Sequence, residues 1–196
     1  MRHIHTRFAV LALLCAGITG AGMTGARAAT QIQVPQNFTV PANASAGASF
    51  TYTGVALPSD TLSITVAGPV YLETGPAYGT NAAGVVTLAG VNGNQPVGSA
   101  LACATIDSIE FDCGSMIVYV TSGSTTYYGR LFLATRKDGF GRTKPPVQLT
   151  YKGSLKKLFG KDSGYKKFKF KNPTFTFLLS DTLYSDNTGA FAVSNN

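Results

Sequence analysis

Leu62-Ser63-Ile64-Thr65-Val66 places an apolar side chain at every second position and a hydroxyl between. Successive side chains of a strand point to opposite faces, so this pattern specifies a half-buried β-strand. It excludes a helix, whose apolar positions recur every three to four residues. The period of two returns along the chain. Phe50 and Tyr52 alternate with Thr51 and Thr53, Val147-Gln148-Leu149-Thr150-Tyr151 alternates again, and Lys167-Phe168-Lys169-Phe170-Lys171 continues after Pro173 as Thr174-Phe175-Thr176-Phe177. Met116-Ile117-Val118-Tyr119-Val120 is nearly all apolar, as a central strand requires. Residues 126–135 read as one long strand with Tyr128, Leu131 and Leu133 as core candidates, and residues 189–193 as a closing strand. Pro58-Ser59-Asp60, Gly68-Pro69 and Gly123-Ser124 supply turns. Residues 155–161 have room for one helical turn, too short to stand alone. The chain is expected to be all-β.

Three segments extend this reading. Ala46-Gly47-Ala48-Ser49-Phe50-Thr51-Tyr52-Thr53-Gly54 is followed by a strand entered through Leu57-Pro58-Ser59-Asp60 and ending at Val66. Then comes Thr80-Asn81-Ala82-Ala83-Gly84-Val85-Val86-Thr87. Over about residues 40–90 this resembles the bacterial Ig-like domains, in which a strand, a Pro-Ser or Pro-Gly turn, a second strand and an Asn-x-x-Gly hairpin follow one another. The resemblance implies an Ig-like antiparallel β-sandwich, with a core made by the inner faces of two sheets. It transfers no functional residue. The buried tryptophan of antibody-type domains is absent, and the cysteines stand too close in sequence for an inter-sheet bridge.

The amino terminus reads as a cleaved secretory signal peptide over residues 1–28. Arg2, His3, His5 and Arg7 are followed by an uncharged apolar run over 8–22, and Ala26-Arg27-Ala28 places small residues at the −3 and −1 positions. The run is too short and too rich in Gly and Ala for a membrane span, and no later segment offers one. Cys15 follows Leu14 rather than a small residue, which argues against a lipid anchor. The chain is therefore expected to be periplasmic, secreted or at the cell surface. Removing 1–28 from the 196 residues leaves 168, enough for a single β-sandwich domain over 29–196 with its own core.

Cleavage also removes chemistry. His3 and His5 are the only histidines, so the processed chain can build neither a Ser-His-Asp nor a Cys-His machine. Without histidine, two cysteines do not hold zinc. Neither a phosphate-binding loop nor a dinucleotide fingerprint is present. A carboxylate pair for glycan hydrolysis is available among Glu73, Glu110 and seven aspartates, but no spacing selects one. Asp107, Glu110 and Asp112 match no calcium loop and read as a solvated loop tip. The expectation is a non-catalytic protein with no cofactor and no metal. Cys103 and Cys113 remain after cleavage, and a hairpin turning at Asp107-Ser108 would set them opposite each other as a disulfide. Closing so short a loop stabilises by roughly 2.5–3 kcal/mol.

The remaining feature is charge. Of 16 basic residues, three lie in residues 1–28 and the other 13 in residues 130–171, against two acids there. The segment carries +11 and the rest of the processed chain −7. In a structural reading, Phe168 and Phe170 face the core while the lysines face water and protect a sheet edge from unwanted pairing. In a functional reading, Lys156, Lys157, Lys166, Lys167, Lys169 and Lys171 form a footprint for an anionic polymer: acidic polysaccharide, lipopolysaccharide phosphate or extracellular DNA. Three functions follow. The first is a cell-envelope or extracellular-matrix protein that binds polyanions. The second is a structural surface subunit that self-associates through strand edges or opposite-charge faces. The third is a carboxylate-based glycan hydrolase.

Overall fold

The computed structural model describes residues 27–72, 79–83, 86–88, 102–106, 109–132, 148–160 and 169–196. These residues are all-β with one short α-helix and a 3-10 turn at Tyr184–Asp186. The strands are β1 (Gln31–Ile32), β2 (Phe38–Pro41), β3 (Ala48–Thr51), β4 (Val55–Ala56), β5 (Thr61–Ala67), β6 (Val70–Tyr71), β7 (Gly79–Thr80), β8 (Val86–Leu88), β9 (Ala102–Ile106), β10 (Ile109–Asp112), β11 (Met116–Ser122), β12 (Thr125–Arg130) and β13 (Gln148–Ser154). Helix α1 (Leu155–Phe159) follows directly, then β14 (Phe170–Lys171), β15 (Thr174–Leu179) and β16 (Thr188–Asn195). No helix among the described residues is long and apolar enough to cross a membrane.

The alternating stretch at 62–66 is the middle of β5, and β5 organises the larger sheet. β13 pairs antiparallel along its whole length, from Ala67↔Gln148 to Thr61↔Ser154. Its other edge is shared by β1, parallel at Gln31↔Thr61, and β16, antiparallel at Ala67↔Ala192. The side chain of Asn195 joins these two by bonding both backbone groups of Val34. β2 pairs the far side of β16, so the last strand lies inside its sheet rather than at the edge. β6, β7 and β8 extend this sheet beyond the start of β16. The second sheet runs β12-β11-β15-β3, antiparallel throughout, and two two-stranded ladders, β9-β10 and β4-β14, stand apart from these sheets.

Both sheets feed one core. Leu62, Ile64 and Val66 of β5, with Phe191 and Val193 of β16, join Met116, Val118 and Val120 of β11 and Phe175, Phe177 and Leu179 of β15 in a single buried cluster. At one side Phe38 of β2 meets Phe50 and Phe177 edge-on, at 5.6 and 5.5 Å between ring centroids. The turn from β2 to β3 passes Gly47, at φ +67°, so close to the Phe177 carbonyl oxygen that any Cβ would collide with it. At the other side α1 leads out of β13 and lies against β12, burying Leu155, Leu158 and Phe159. Its start is capped by Ser154, whose hydroxyl accepts from the Lys157 N–H at 3.2 Å. The outward rows are hydroxyl pairs across strands: Ser49 with Thr176, Thr51 with Thr174, Thr121 with Thr126, and Thr65 with Thr150.

Two details depart from expectation. The strand expected over 126–135 ends at Arg130, and its inward residue is Tyr127, which packs against the core. Tyr128 points outward, where its ring lies 5.4 Å from that of Tyr119, its partner in register. Leu131 is buried in the core but beyond the strand, and Leu133 lies outside the described residues. The second departure is Ser63, on the hydroxyl face of β5 yet buried, with Lys152 of β13 beside it in register and the Asn196 N–H donating to its carbonyl at 3.0 Å.

Candidate polyanion-binding surface

Four of the six lysines singled out by sequence are described. Lys156 and Lys157 are exposed on α1 between buried Leu155 and Leu158. Lys169 and Lys171 are exposed on either side of buried Phe170. The alternation of charge outside and ring inside therefore holds for residues 169–171. Lys166, Lys167 and Phe168 lie outside the described residues.

One short strip gathers both lysine pairs. β14 pairs with β4 at Phe170↔Ala56 and Lys171↔Val55. Two residues past β4, the Pro58 carbonyl accepts from the Lys156 N–H at 2.9 Å, and the Asp60 carbonyl accepts from the Leu155 N–H at 2.7 Å. Val55 and Pro58 are three residues apart, hence at most about 11 Å. Adding one strand spacing and one hydrogen bond puts the Lys156 and Lys171 backbones within roughly 20 Å of each other. The residues after β14 are held to the same strip. Asn172, at φ +47°, donates its N–H to the Gly54 carbonyl, and its side-chain oxygen accepts the Gly54 N–H at 2.8 Å. Phe170 faces inward against Tyr127, with ring centroids 5.4 Å apart.

Other basic groups stand elsewhere. Arg130 lies over the ring of buried Phe111, 5.4 Å from its centroid, at the end of β12. Lys152 is exposed on β13 in register with Ser63, three residues before α1.

The strip also holds a buried carboxylate that the sequence reading took for a turn residue. Asp60 has no exposed surface. The Leu57 N–H donates to Oδ2 at 2.8 Å and the Thr30 N–H to Oδ1 at 2.8 Å. Arg27, assigned by sequence to the leader, donates from Nη2 to both oxygens at 2.8 and 3.0 Å and from Nη1 to the Val55 carbonyl. Asp at the end of Pro58-Ser59-Asp60, three residues after Leu57, is a spacing from which this turn-closing bond could have been read.

β9 and β10 pair antiparallel from Ile106↔Ile109 to Ala102↔Asp112, as the hairpin reading expects. Cys113 is disulfide-bonded. The side chain of Cys103, Asp107 and the side chain of Glu110 lie outside the described residues. Among the described residues no three His, Cys, Asp or Glu side chains converge as a metal site. Comparison with protein-family models, curated proteins and solved structures finds no match.

Proposed function

We propose that this chain is exported by a cleaved signal peptide at 1–28 and folds as an Ig-like antiparallel β-sandwich stapled by Cys103 and Cys113. It acts in the cell envelope or extracellular matrix as a non-catalytic binder of anionic polymers. Lys156, Lys157, Lys166, Lys167, Lys169 and Lys171 supply the contact. The observation that carries the reading is the shared strip: α1 and β14 both dock on residues 55–60, and each presents exposed lysines there. A row of point charges attracts a charged polymer without reading its sequence, and the attraction falls as salt shortens its range.

Replacing Lys156, Lys157, Lys169 and Lys171 together by Gln should lower the salt at which the protein leaves a heparin column, or abolish retention. The melting temperature should move by no more than a few degrees, because exposed charges contribute little to stability. Equal elution of variant and wild type, or a wild type that passes through at low salt, would sink the proposal. A low-salt oligomer that dissolves at high salt, without heparin retention, would favour the surface-subunit function instead.

A further inference from the structure

Asp60 is fully buried and accepts hydrogens from two backbone amides and from Arg27; no other cation bonds to it among the described residues. On the export reading above, on which this inference rests, Arg27 leaves with the signal peptide. That would strand a buried carboxylate without its counter-charge, a costly arrangement. The geometry supplies a replacement one residue away. Thr30 is fixed, because its carbonyl accepts from the Thr61 N–H at 2.9 Å and the parallel ladder starts at the next residue, Gln31↔Thr61. The Thr30 N–H already touches Oδ1. The nitrogen of Ala29 precedes it by one residue, at most about 3.6 Å along the chain, and rotation about the Ala29 backbone swings it.

We propose that the Asp60 carboxylate is a binding site for the α-ammonium of Ala29, and that this ammonium takes the place of the Arg27 guanidinium once the chain is processed. Hydrolysis adds water across the Ala28–Ala29 amide. The hydroxyl goes to the Ala28 carbonyl carbon, and the released nitrogen is an ammonium at neutral pH, since such groups titrate near 7.7–8.0. Before cleavage Asp60 is paired by Arg27; afterwards it is paired by the new terminus. The exchange ties the start of β1 to the strip that carries the lysines.

The two partners differ in one measurable way. A guanidinium stays charged throughout the accessible pH range. An α-ammonium held by a carboxylate has its pKa raised above the unfolded value. Its contribution to stability is therefore complete below the unfolded pKa and is lost as pH rises through the folded one. The charged groups on the elements around the strip are Lys152 on β13, Lys156 and Lys157 on α1, and Lys169 and Lys171 at β14, all exposed. Among the described residues of β1, β4, β5, α1 and β14 there is no acid.

The test compares chains that begin at Ala29, at Arg27, and at a Gly-Ser extension ahead of Ala29, each with Asp60 and with Asp60→Asn, melted at pH 6.5 and 9.5. The Ala29 start should melt roughly 5 °C above the extended chain at pH 6.5. The gap should narrow at pH 9.5 and vanish in Asp60→Asn, while the Arg27 start should not show this narrowing. If Asp60→Asn fails to fold, acylation of the α-amine by an activated ester decides, being at least about tenfold slower for the Ala29 start than for the extended chain when the ammonium is held by a charge-assisted bond. Equal melting of the Ala29 and extended chains, a gap that survives Asp60→Asn, or equal acylation rates would overturn the proposal. Terminal sequencing of the exported protein separates the two readings. A start other than Ala29 overturns the cleavage site and the exchange together, whereas an Ala29 start without coupling overturns the exchange alone.

Discussion

Phe177 and Lys171 stand six residues apart in the chain and obey different physics. Phe177 lies in β15 with no exposed surface, 5.5 Å from the ring of Phe38 and 6.2 Å from that of Phe50. These rings come from β2 and β3, so one side chain helps to join the two sheets. Lys171 is separated from β15 by the left-handed residue Asn172, and sits in a two-residue strand whose neighbour Phe170 is its anchor. At Phe177, neighbours on two strands settle which way the side chain points. At Lys171, water does. Stability and ligand contact should therefore be separable by mutation.

The largest expected effect lies on the buried side of that comparison. Phe177→Ala removes a ring from a filled core and should cost about 3–5 kcal/mol. The melting temperature of a chain this size should fall by on the order of 10 °C. The salt needed to elute the folded variant from heparin should stay where it is. A folded Phe177→Ala protein that leaves the column early would show that the two regions are coupled.

A smaller change probes the element common to both. Helix α1 buries Leu155, Leu158 and Phe159 while exposing Lys156 and Lys157. Ser154→Ala deletes the hydroxyl that accepts from Lys157 N–H, at a cost of about 1 kcal/mol. Hydrogen exchange at the first turn of α1 should quicken, and heparin retention should hold, because the buried side chains keep the helix docked. Unchanged exchange would mean that the cap contributes nothing.

The comparison also explains what could be read in advance. The strands at 62–66 and 174–177 are legible because in each the apolar residues of one parity meet one core, and a single slip would expose them all; 116–120 is legible because it is apolar almost throughout, and Ile117 is buried along with Met116, Val118 and Val120. Tyr128 was misplaced because hydrophobicity counts an aromatic as core, whereas Tyr119 opposite it on the outer face provides a partner there. Ser63 has as its neighbours Lys152 of β13, from more than 80 residues downstream, and the backbone of Asn196, so nothing local to β5 marks it as buried. The clustering of lysines in sequence was plain, but their meeting at residues 55–60 was not, since that strip contains no basic residue. Asp60 is hard to read in the sequence for a related reason. Its turn is local and visible, while its cation comes from a segment read as leader.

The smallest effect at neutral pH belongs to Tyr151, and its signature appears only in alkali. Tyr151 stands in register with Ile64 and packs into the core, with a buried hydroxyl that has no hydrogen-bond partner among the described residues. Desolvation by burial pushes its phenol up to about 12. The sign follows from proton counting. Between about pH 10, where the unfolded chain ionises, and about pH 12 the folded protein holds the proton and the unfolded chain does not. Stability from this residue is thus complete below pH 10 and is lost as pH climbs through that window. Tyr151→Phe removes both the proton and the partnerless hydroxyl. At pH 7 its melting temperature should match or slightly exceed that of wild type, since an unbonded buried hydroxyl contributes nothing favourable. Above pH 10 the variant should lose stability less steeply. A residual slope remains from Tyr184, whose phenol is also raised, first by burial. Gly153 gives a second readout, because a Cβ there would lie 2.6 Å from the Tyr151 hydroxyl. Gly153→Ala should consequently be tolerated better in the Tyr151→Phe background than alone. Parallel alkaline limbs for wild type and Tyr151→Phe would show that the hydroxyl reaches water in solution, and the buried side of the comparison would then end before residue 151.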